Sequence, residues 1–315
     1  MAGPVADAGP QGCGNAIHGE CMEARRPHRC REGCRQLSRV FTSPREPGRR
    51  LRYSCIRLHT YPSAVCLGSR SRRWGNSIVG RLGRSYFRRW DRRHVSHDVN
   101  YAANSRFVAK RVADAWAVDA PVVYPPVDIE RIHSSDGELS DIDNATVRAL
   151  PPDFVLGASR FVRYKNVDAA ITAGEILRLP VVLVGTGPDE PRLRTLADQA
   201  RTPVVFAGRV SDDLLLELYR RAALFVYMAV EDFGIMPVEA MGSGTPVLVN
   251  EIGGASESVL AVSGGLTSGW RRSRFVDPGA VERALSIDMK AAKSGVAKFS
   301  TSSFRSNLLS WLGEG

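Results

Sequence analysis

From Phe154 onward the sequence alternates short apolar stretches with amphipathic helical ones, and this pattern restricts the possible folds most strongly. The predicted strands are residues 154–158, 180–184, 203–207, 223–228 and 246–250. The predicted helices between them are residues 166–177, 190–200, 211–221 and 237–241. Strands that are apolar throughout are typical of a parallel sheet buried on both faces. The sequence therefore predicts a doubly wound α/β domain over about residues 125–290.

Arginine and cysteine are concentrated at the start of the chain. Residues 1–90 contain 18 Arg, no Lys and five acidic residues, whereas the net charge of all 315 residues is +10. All six cysteines also lie there, at Cys13, Cys21, Cys30, Cys34, Cys55 and Cys66. Three interpretations of residues 1–78 stay open: a basic arm for RNA or an anionic membrane, a zinc or disulfide module, and translation in an unintended frame.

The cysteine spacing argues against a zinc site, and the absence of lysine argues against a basic arm. No Cys-x-x-Cys pair is present, and such pairs are what identify a zinc site. Basic arms normally mix Lys with Arg. An unintended reading frame, or disorder, is therefore the favoured hypothesis for residues 1–78.

The remaining segments complete the predicted organisation. Residues 81–104 and 106–116 have helical apolar spacing, and residues 121–124 read as a strand. We predict residues 79–124 to be the remnant of an N-terminal domain, residues 133–149 to be a polar surface excursion, and residues 291–315 to be a C-terminal helix.

Membrane-spanning and secreted classes are not expected. The longest uninterrupted apolar run, residues 222–230, has nine residues, whereas a spanning helix needs about 20. No apolar stretch follows the early charges, so we expect no signal peptide and a cytoplasmic protein.

Residues after each predicted strand form the candidate site, because open parallel sheets bind ligands beyond the carboxyl ends of their strands. Cations, glycines and carboxylates collect at this edge, which indicates a pocket for a nucleotide sugar. These residues are Arg160, Lys165, Gly185, Gly187, Gly208, Arg209, Val210, Glu231 and Asp232.

The segment from Glu231 to Glu239, EDFGIMPVE, is the most specific motif. Pro237 suits the first turn of a helix because it has no N–H to lose. The backbone N–H groups at that helix start suit a diphosphate. Carboxylates accept hydrogen bonds from sugar hydroxyls, so one glutamate is expected to hold the donor sugar and the other the ribose.

About residues 85–260 resemble family 4 of the glycosyltransferases, which are retaining enzymes of the GT-B fold. The matching segments are ANSRFVAKRV, ASRFVRYKN, VVLVGTGP, VVFAGRVSDD, EDFGIMPVEAMGSGTPVL and GGASESV. The segment EDFGIMPVEAM resembles the corresponding segment of mannosyltransferases of polysaccharide synthesis.

The resemblance implies a role for each matching residue. Arg160 and Lys165 would bind the donor diphosphate and offset the charge on the leaving group, and Glu231 would contact the sugar; these three are the predicted catalytic residues. Glu239 would hold the ribose, and Gly208, Arg209 and Val210 would lie beside the base. Phe233, Gly234 and Ile235 would offer backbone groups, with Asp232, Gly185 and Gly187 completing the donor site.

The resemblance also sets the expected partners. It implies no metal and no cofactor, a GDP-mannose or UDP-sugar donor, and a glycan or lipid-linked acceptor, with peripheral contact to the inner face of a membrane. Most of the acceptor domain has no match, so donor binding is expected to survive better than turnover. The alternative is a non-catalytic nucleotide-binding protein with a basic arm for RNA or membrane.

Overall fold

The computed structural model describes residues 57–58, 86, 89–90, 92–93, 95, 100–134, 139–270 and 276–313. All of them belong to the unit Tyr53–Gly315. Apart from the backbone of residues 57–58, the predictions for residues 1–78, including those for the six cysteines, lie outside the described residues.

A six-stranded sheet forms the centre of the described structure. Two short strands, β1 (Arg57–Leu58) and β2 (Tyr101–Ala102), pair in parallel with each other upstream of it. The strands of the large sheet are β3 (Val155–Ala158), β4 (Val181–Val184), β5 (Val204–Gly208), β6 (Leu224–Tyr227), β7 (Val247–Asn250) and β8 (Gly265–Ser268). Their order is β5-β4-β3-β6-β7-β8, and every pair is parallel. The predicted doubly wound α/β class is confirmed.

The described residues 86, 89–90 and 92–93 are helical, and eleven α-helices with defined bounds follow them. They are α1 (Arg106–Trp116), α2 (Ile129–His133), α3 (Asp141–Ala149), α4 (Asp168–Leu177), α5 (Glu190–Asp198), α6 (Asp212–Arg221), α7 (Ile235–Ser243), α8 (Gly254–Val262), α9 (Pro278–Ala284), α10 (Met289–Gly295) and α11 (Thr301–Leu312). Short 3₁₀ turns cover Arg163–Lys165 and Val296–Phe299.

The strands bury both of their faces, as their apolar composition requires. Neighbouring side chains on a strand point to opposite sides. Val155 and Leu224 therefore pack with α4 and α9, whereas Leu156 and Phe225 pack with α6, α7 and α8. All four of these side chains are inaccessible to solvent.

Upstream of the sheet, one predicted helix is confirmed and another is wrong at its end. Helix α1 has the predicted bounds, and Ser105 caps it by accepting a hydrogen bond from the N–H of Val108 at 3.1 Å. The predicted helix over residues 81–104 does not reach its end, because Tyr101 and Ala102 pair with β1. The predicted strand over residues 121–124 is reduced to a single bridge between Val122 and Ala103.

Two other predictions need correction. The polar segment over residues 133–149 contains helix α3, which begins after a Ser140 cap and has no buried residue. The predicted single C-terminal helix is divided: α10 passes into a 3₁₀ turn, and α11 starts afresh at a second cap, Ser300. In each case a serine side chain accepts a hydrogen bond from a backbone N–H of the first turn, which defines the helix start.

No helix in the described ranges is long and apolar enough to cross a bilayer. Within the same residues, no group of three or more His, Cys, Asp or Glu side chains is arranged to hold a metal ion.

Candidate active site

The strand order creates one crevice at the carboxyl edge of the sheet. From β3 the chain moves outward through β4 to β5, and from β6 it moves the other way through β7 to β8. The loops after β3 and β6 therefore separate on opposite sides of the sheet, which is the topological switch point where such folds bind ligands.

Lys165 and Glu231 come from the two sides of this switch point and contact each other. Lys165 ends the 3₁₀ turn after β3, and its Nζ donates a hydrogen bond to Oε1 of Glu231, in the loop after β6. The Lys165 side chain is only 10% exposed and that of Glu231 is 28% exposed. Two predicted catalytic residues that are far apart in sequence thus form one partly desolvated ion pair.

Neighbouring groups hold the ion pair in place. Tyr227, the last residue of β6, donates a hydrogen bond from its hydroxyl to Oε2 of Glu231 at 2.8 Å. Asn166 ties the same two loops together, since its side-chain N–H₂ donates to the carbonyl of Met228 at 2.9 Å. Burial, followed by the charge of Glu231, raises the pKa of Tyr227, so its hydroxyl remains a hydrogen-bond donor at neutral pH.

Arg160, the third predicted catalytic residue, is exposed at the rim of the crevice. Its Nη2 lies 3.3 Å from the hydroxyl of Tyr164, which is itself 55% exposed. Its side chain is thus not part of the Lys165–Glu231 pair, although its loop is the same one that carries Lys165.

The glycines after β4 allow the backbone to approach the loop after β3 closely. Gly185 has a φ of +128°, and an added Cβ would lie 1.9 Å from the carbonyl oxygen of Ser159. The same test at Gly187 places a Cβ 2.4 Å from the carbonyl oxygen of Phe161. Side chains are therefore excluded at both positions, which leaves backbone as the lining of this part of the crevice.

The turn after β5 adjoins these glycines. The N–H of Gly185 donates to the carbonyl of Gly208 at 2.7 Å. Gly208 has a φ of +66°, Arg209 is exposed, and Val210 packs against the core. These three residues, predicted to lie beside the base, do sit at the same edge as the predicted diphosphate residues.

The loop from Glu231 to Gly234 leads into α7. Phe233 is buried, with its ring centre 5.5 Å from that of Phe299, so only its backbone faces the loop. Gly234 has a φ of +88°, and Ile235, the first helical residue, is 44% exposed. The start of α8 supports the loop from the other side, because the N–H of Gly254 donates to the carbonyl of Glu231 at 2.7 Å.

Asp232 does not have a free carboxylate, because helix α1 holds it. Nη1 of Arg111 lies 3.0 Å from its Oδ1, and the hydroxyl of Ser105 donates to its carbonyl oxygen. Burial raises the pKa of Asp232, and the charge of Arg111 partly opposes this rise. Ser105 and Arg111 belong to the ANSRFVAKRV segment, yet the sequence analysis did not assign either of them to the site.

Glu239 lies on α7, apart from the Lys165–Glu231 pair. Burial raises its pKa, and the nearby charges that act on it are those of Asp212, at the start of α6, and Arg131. Because α6 directly follows the turn after β5, Glu239 is near the predicted base and ribose side of the crevice.

An ion cluster fixes the two loops behind the crevice. Arg192 on α5 donates to Asp168, at the start of α4, at 2.7 Å and to Asp189, after the glycine turn, at 2.9 Å. The side chains of Asp168 and Asp189 are 8% and 9% exposed, and Arg192 compensates the charge of both carboxylates. Nε of Arg163 lies 3.8 Å from Oδ1 of Asp189 as well.

Part of the sheet domain matches a known protein family. Residues 140–267 match the family described as Glycosyl transferases group 1. The crevice and the Lys165–Glu231 ion pair lie within the matched residues.

Several proteins with similar sequences are named as glycosyltransferases, and some of these as mannosyltransferases. The chain is 42% identical over 112 residues to an uncharacterized glycosyltransferase of Methanocaldococcus jannaschii, covering 33% of this chain and 29% of that protein. It is 31% identical to the serotype-specific mannosyltransferase WbdA of Escherichia coli, over 40% of this chain and 16% of that protein. It is 28% identical to a GDP-mannose-dependent phosphatidylinositol monomannoside mannosyltransferase of Mycobacterium tuberculosis, over 62% and 54% of the two chains. The chain thus spans less than a third of the first two of these relatives.

Solved structures share the fold. Anabaena HepE in complex with UDP and glucose superimposes with a TM-score of 0.58 at 21% identity, covering 79% of this chain and 70% of HepE. Sucrose-phosphate synthase of Thermosynechococcus elongatus gives a TM-score of 0.62 at 19% identity, covering 82% and 67%. These matches confirm the predicted GT-B type of fold for the sheet domain.

Proposed function

We propose that this protein transfers a sugar, mannose being favoured, from a nucleotide-sugar donor to a glycan or lipid-linked acceptor with retention of configuration. One observation carries the proposal: Lys165 and Glu231 meet in a partly desolvated pair at the switch point of the sheet. A cation and a carboxylate side by side match the two ends of such a donor, its diphosphate and its sugar.

Lys165 would stabilise the charge that develops on the departing nucleoside diphosphate. Fixed charges in a water-poor crevice act strongly on such charge, because little solvent screens them. Arg160 adds a second cation at the same edge, on an exposed side chain that can approach the phosphates. The glycine turns at Gly185 and Gly187 leave room for the donor to lie against backbone.

Donor binding would divide the Lys165–Glu231 pair. In the unliganded site each of these groups neutralises the other. The diphosphate competes for the ammonium, and the sugar hydroxyls then hydrogen-bond to the released carboxylate. The acceptor would attack from the face that the diphosphate leaves, which gives retention without a protein nucleophile.

Mannose is favoured by the relatives. Two of them are named as mannosyltransferases, one of them GDP-mannose-dependent, whereas the similar HepE structure contains UDP and glucose. GDP-mannose and UDP-glucose are therefore the two donors to compare first.

The proposal is tested by calorimetric titration of the full chain with GDP, UDP, GDP-mannose and UDP-glucose, followed by donor consumption with mannose oligosaccharides as acceptors. Lys165→Ala should weaken binding of the nucleoside diphosphate by about 10- to 100-fold, the loss expected for a charged hydrogen bond. Lys293→Ala, which removes an exposed lysine on α10, is the matched control. NMR of the product would give its anomeric configuration.

The outcomes separate the candidates. No binding of any nucleotide by the wild-type protein, or equal binding by the two lysine variants, would refute the proposed site. Binding without consumption of any donor, together with RNA binding that weakens steeply as salt increases, would favour the non-catalytic alternative.

A further inference from the structure

Tyr227 is a buried residue of the site that the sequence analysis did not assign. It ends β6, four residues before Glu231, and is 4% exposed. Its hydroxyl donates to Oε2 of Glu231 at 2.8 Å, while Lys165 donates to Oε1. Each oxygen of the carboxylate therefore has its own donor.

Lys165 and Tyr227, the two hydrogen-bond donors to Glu231, would respond differently when a nucleotide sugar binds. The Lys165 ammonium is drawn to a diphosphate because that group carries more negative charge than a carboxylate. The Tyr227 phenol has no charge to offer a phosphate. It therefore remains on Glu231 after Lys165 has moved.

We propose that Tyr227 is a positioning residue that orients the Glu231 carboxylate toward the donor sugar once Lys165 has engaged the diphosphate. This inference rests on the proposed function. It assigns to Tyr227 an effect on binding of the sugar and none on binding of the nucleotide.

The surroundings of Tyr227 keep its ring fixed. Its ring centre lies 5.9 Å from that of Phe225. The strand pairs with β7 through Tyr227 and Val249, so the backbone is held as well. A hydroxyl on such a ring has little freedom, which is what a positioning group requires.

The matched variant is Tyr227→Phe, which removes the hydroxyl and keeps the ring. Binding of GDP should stay within about twofold of wild type. Binding of GDP-mannose should weaken about tenfold or more, since one hydrogen bond to a charged group is lost. The same comparison applies to UDP and UDP-glucose.

Tyr101→Phe is the control, because this partly buried ring packs on Trp116 in the upstream segment. It should leave the ratio of the GDP and GDP-mannose dissociation constants unchanged. Thermal unfolding of both variants checks that each is folded. Tyr227→Phe combined with Glu231→Gln should lose little more sugar affinity than Glu231→Gln alone, because the tyrosine acts through the glutamate.

Failure of this inference can be distinguished from failure of the proposed function. A wild-type protein that binds no nucleotide sugar refutes both. A wild-type protein that binds both ligands, with a Tyr227→Phe variant that weakens them equally or changes neither, refutes the positioning role alone. Additive losses in the double variant would also overturn it.

Discussion

Replacing Arg111 by Met should destabilise the protein by about 2 kcal/mol at pH 7. Nη1 of Arg111 lies 3.0 Å from Oδ1 of Asp232, and the two side chains are 27% and 17% exposed. The burial of this ion pair is thus intermediate between that of a surface pair and that of a fully buried pair. Surface pairs contribute at most about 1 kcal/mol, whereas removing one partner of a buried pair costs about 3 kcal/mol or more. Methionine keeps most of the side-chain volume, so most of the loss reports the unpaired carboxylate. A smaller part comes from the contact of the Arg111 guanidinium with the Phe107 ring, 5.3 Å from its centre.

The loss should depend on pH in a defined direction. Burial already raises the pKa of Asp232, and Arg111 lowers it in part, so the variant has a still higher folded-state pKa. An acid whose pKa is higher in the folded state binds more protons there, so stability falls as pH rises through that pKa. The destabilisation should therefore be small below about pH 4 and complete at neutral pH.

Urea denaturation of the full chain between pH 4 and pH 8 measures this effect. Arg283→Met is the control, since Arg283 is 67% exposed and lies 3.8 Å from an exposed Asp277. It should change stability by less than about 0.5 kcal/mol. Equal losses in the two variants, or a loss at Arg111 that does not change with pH, would refute the reasoning.

Two further predictions concern backbone and capping. Gly185→Ala should lower the free energy of unfolding by about 3 kcal/mol or more, because the new Cβ would clash with the carbonyl of Ser159. The control is Gly313→Ala, which is also at positive φ but has no atom within 4 Å of the new Cβ, and it should lower the free energy of unfolding by about 1 kcal/mol. Ser105→Ala should lower the free energy of unfolding by about 2 kcal/mol, since this buried hydroxyl caps α1 and also donates to the carbonyl of Asp232. Ser140→Ala, which removes an exposed cap, should lower it by about 1 kcal/mol. Denaturant midpoints test both pairs, and equal losses within either pair would contradict the explanation.

The large sheet could be predicted from sequence because its strands are buried on both faces. Continuous apolar stretches located β3 to β7 to within one or two residues. β8 was not predicted, since its sequence, Gly265–Ser268, contains glycine, threonine and serine and has no apolar run. Its place in the sheet is decided by pairing with β7, which is a tertiary contact.

The predictions for residues 133–149 and for the end of the helix over residues 81–104 failed because the local sequence carries no apolar pattern that marks the observed structure. Helix α3 has no buried residue, so no apolar stripe marks it within its polar segment. The pair Tyr101–Ala102 continues a helical spacing in sequence but pairs with a strand more than 40 residues upstream. Local periodicity cannot anticipate such a partner.

The candidate site was predictable in its residue types and less so in its contacts. The EDFG motif and the strand-end rule identified Glu231 and Lys165, and the strand order then brought them together. The attachment of Asp232 to Arg111 could not be read from the motif. It depends on helix α1 lying against the loop, and neither segment alone encodes that contact.

Helix α11 covers the upstream segment from the far end of the chain. Leu308 is buried with Ala102 and Val123, and Phe304 and Trp311 pack beside them. A ribosome adds about 5–20 residues per second, so Ala102 and Val123 wait roughly 10–40 seconds before their partner emerges. During that interval the nascent chain exposes the apolar surface of the segment whose Ser105 and Arg111 will later contact Asp232. This surface is therefore one to which a chaperone would bind on the unfinished chain.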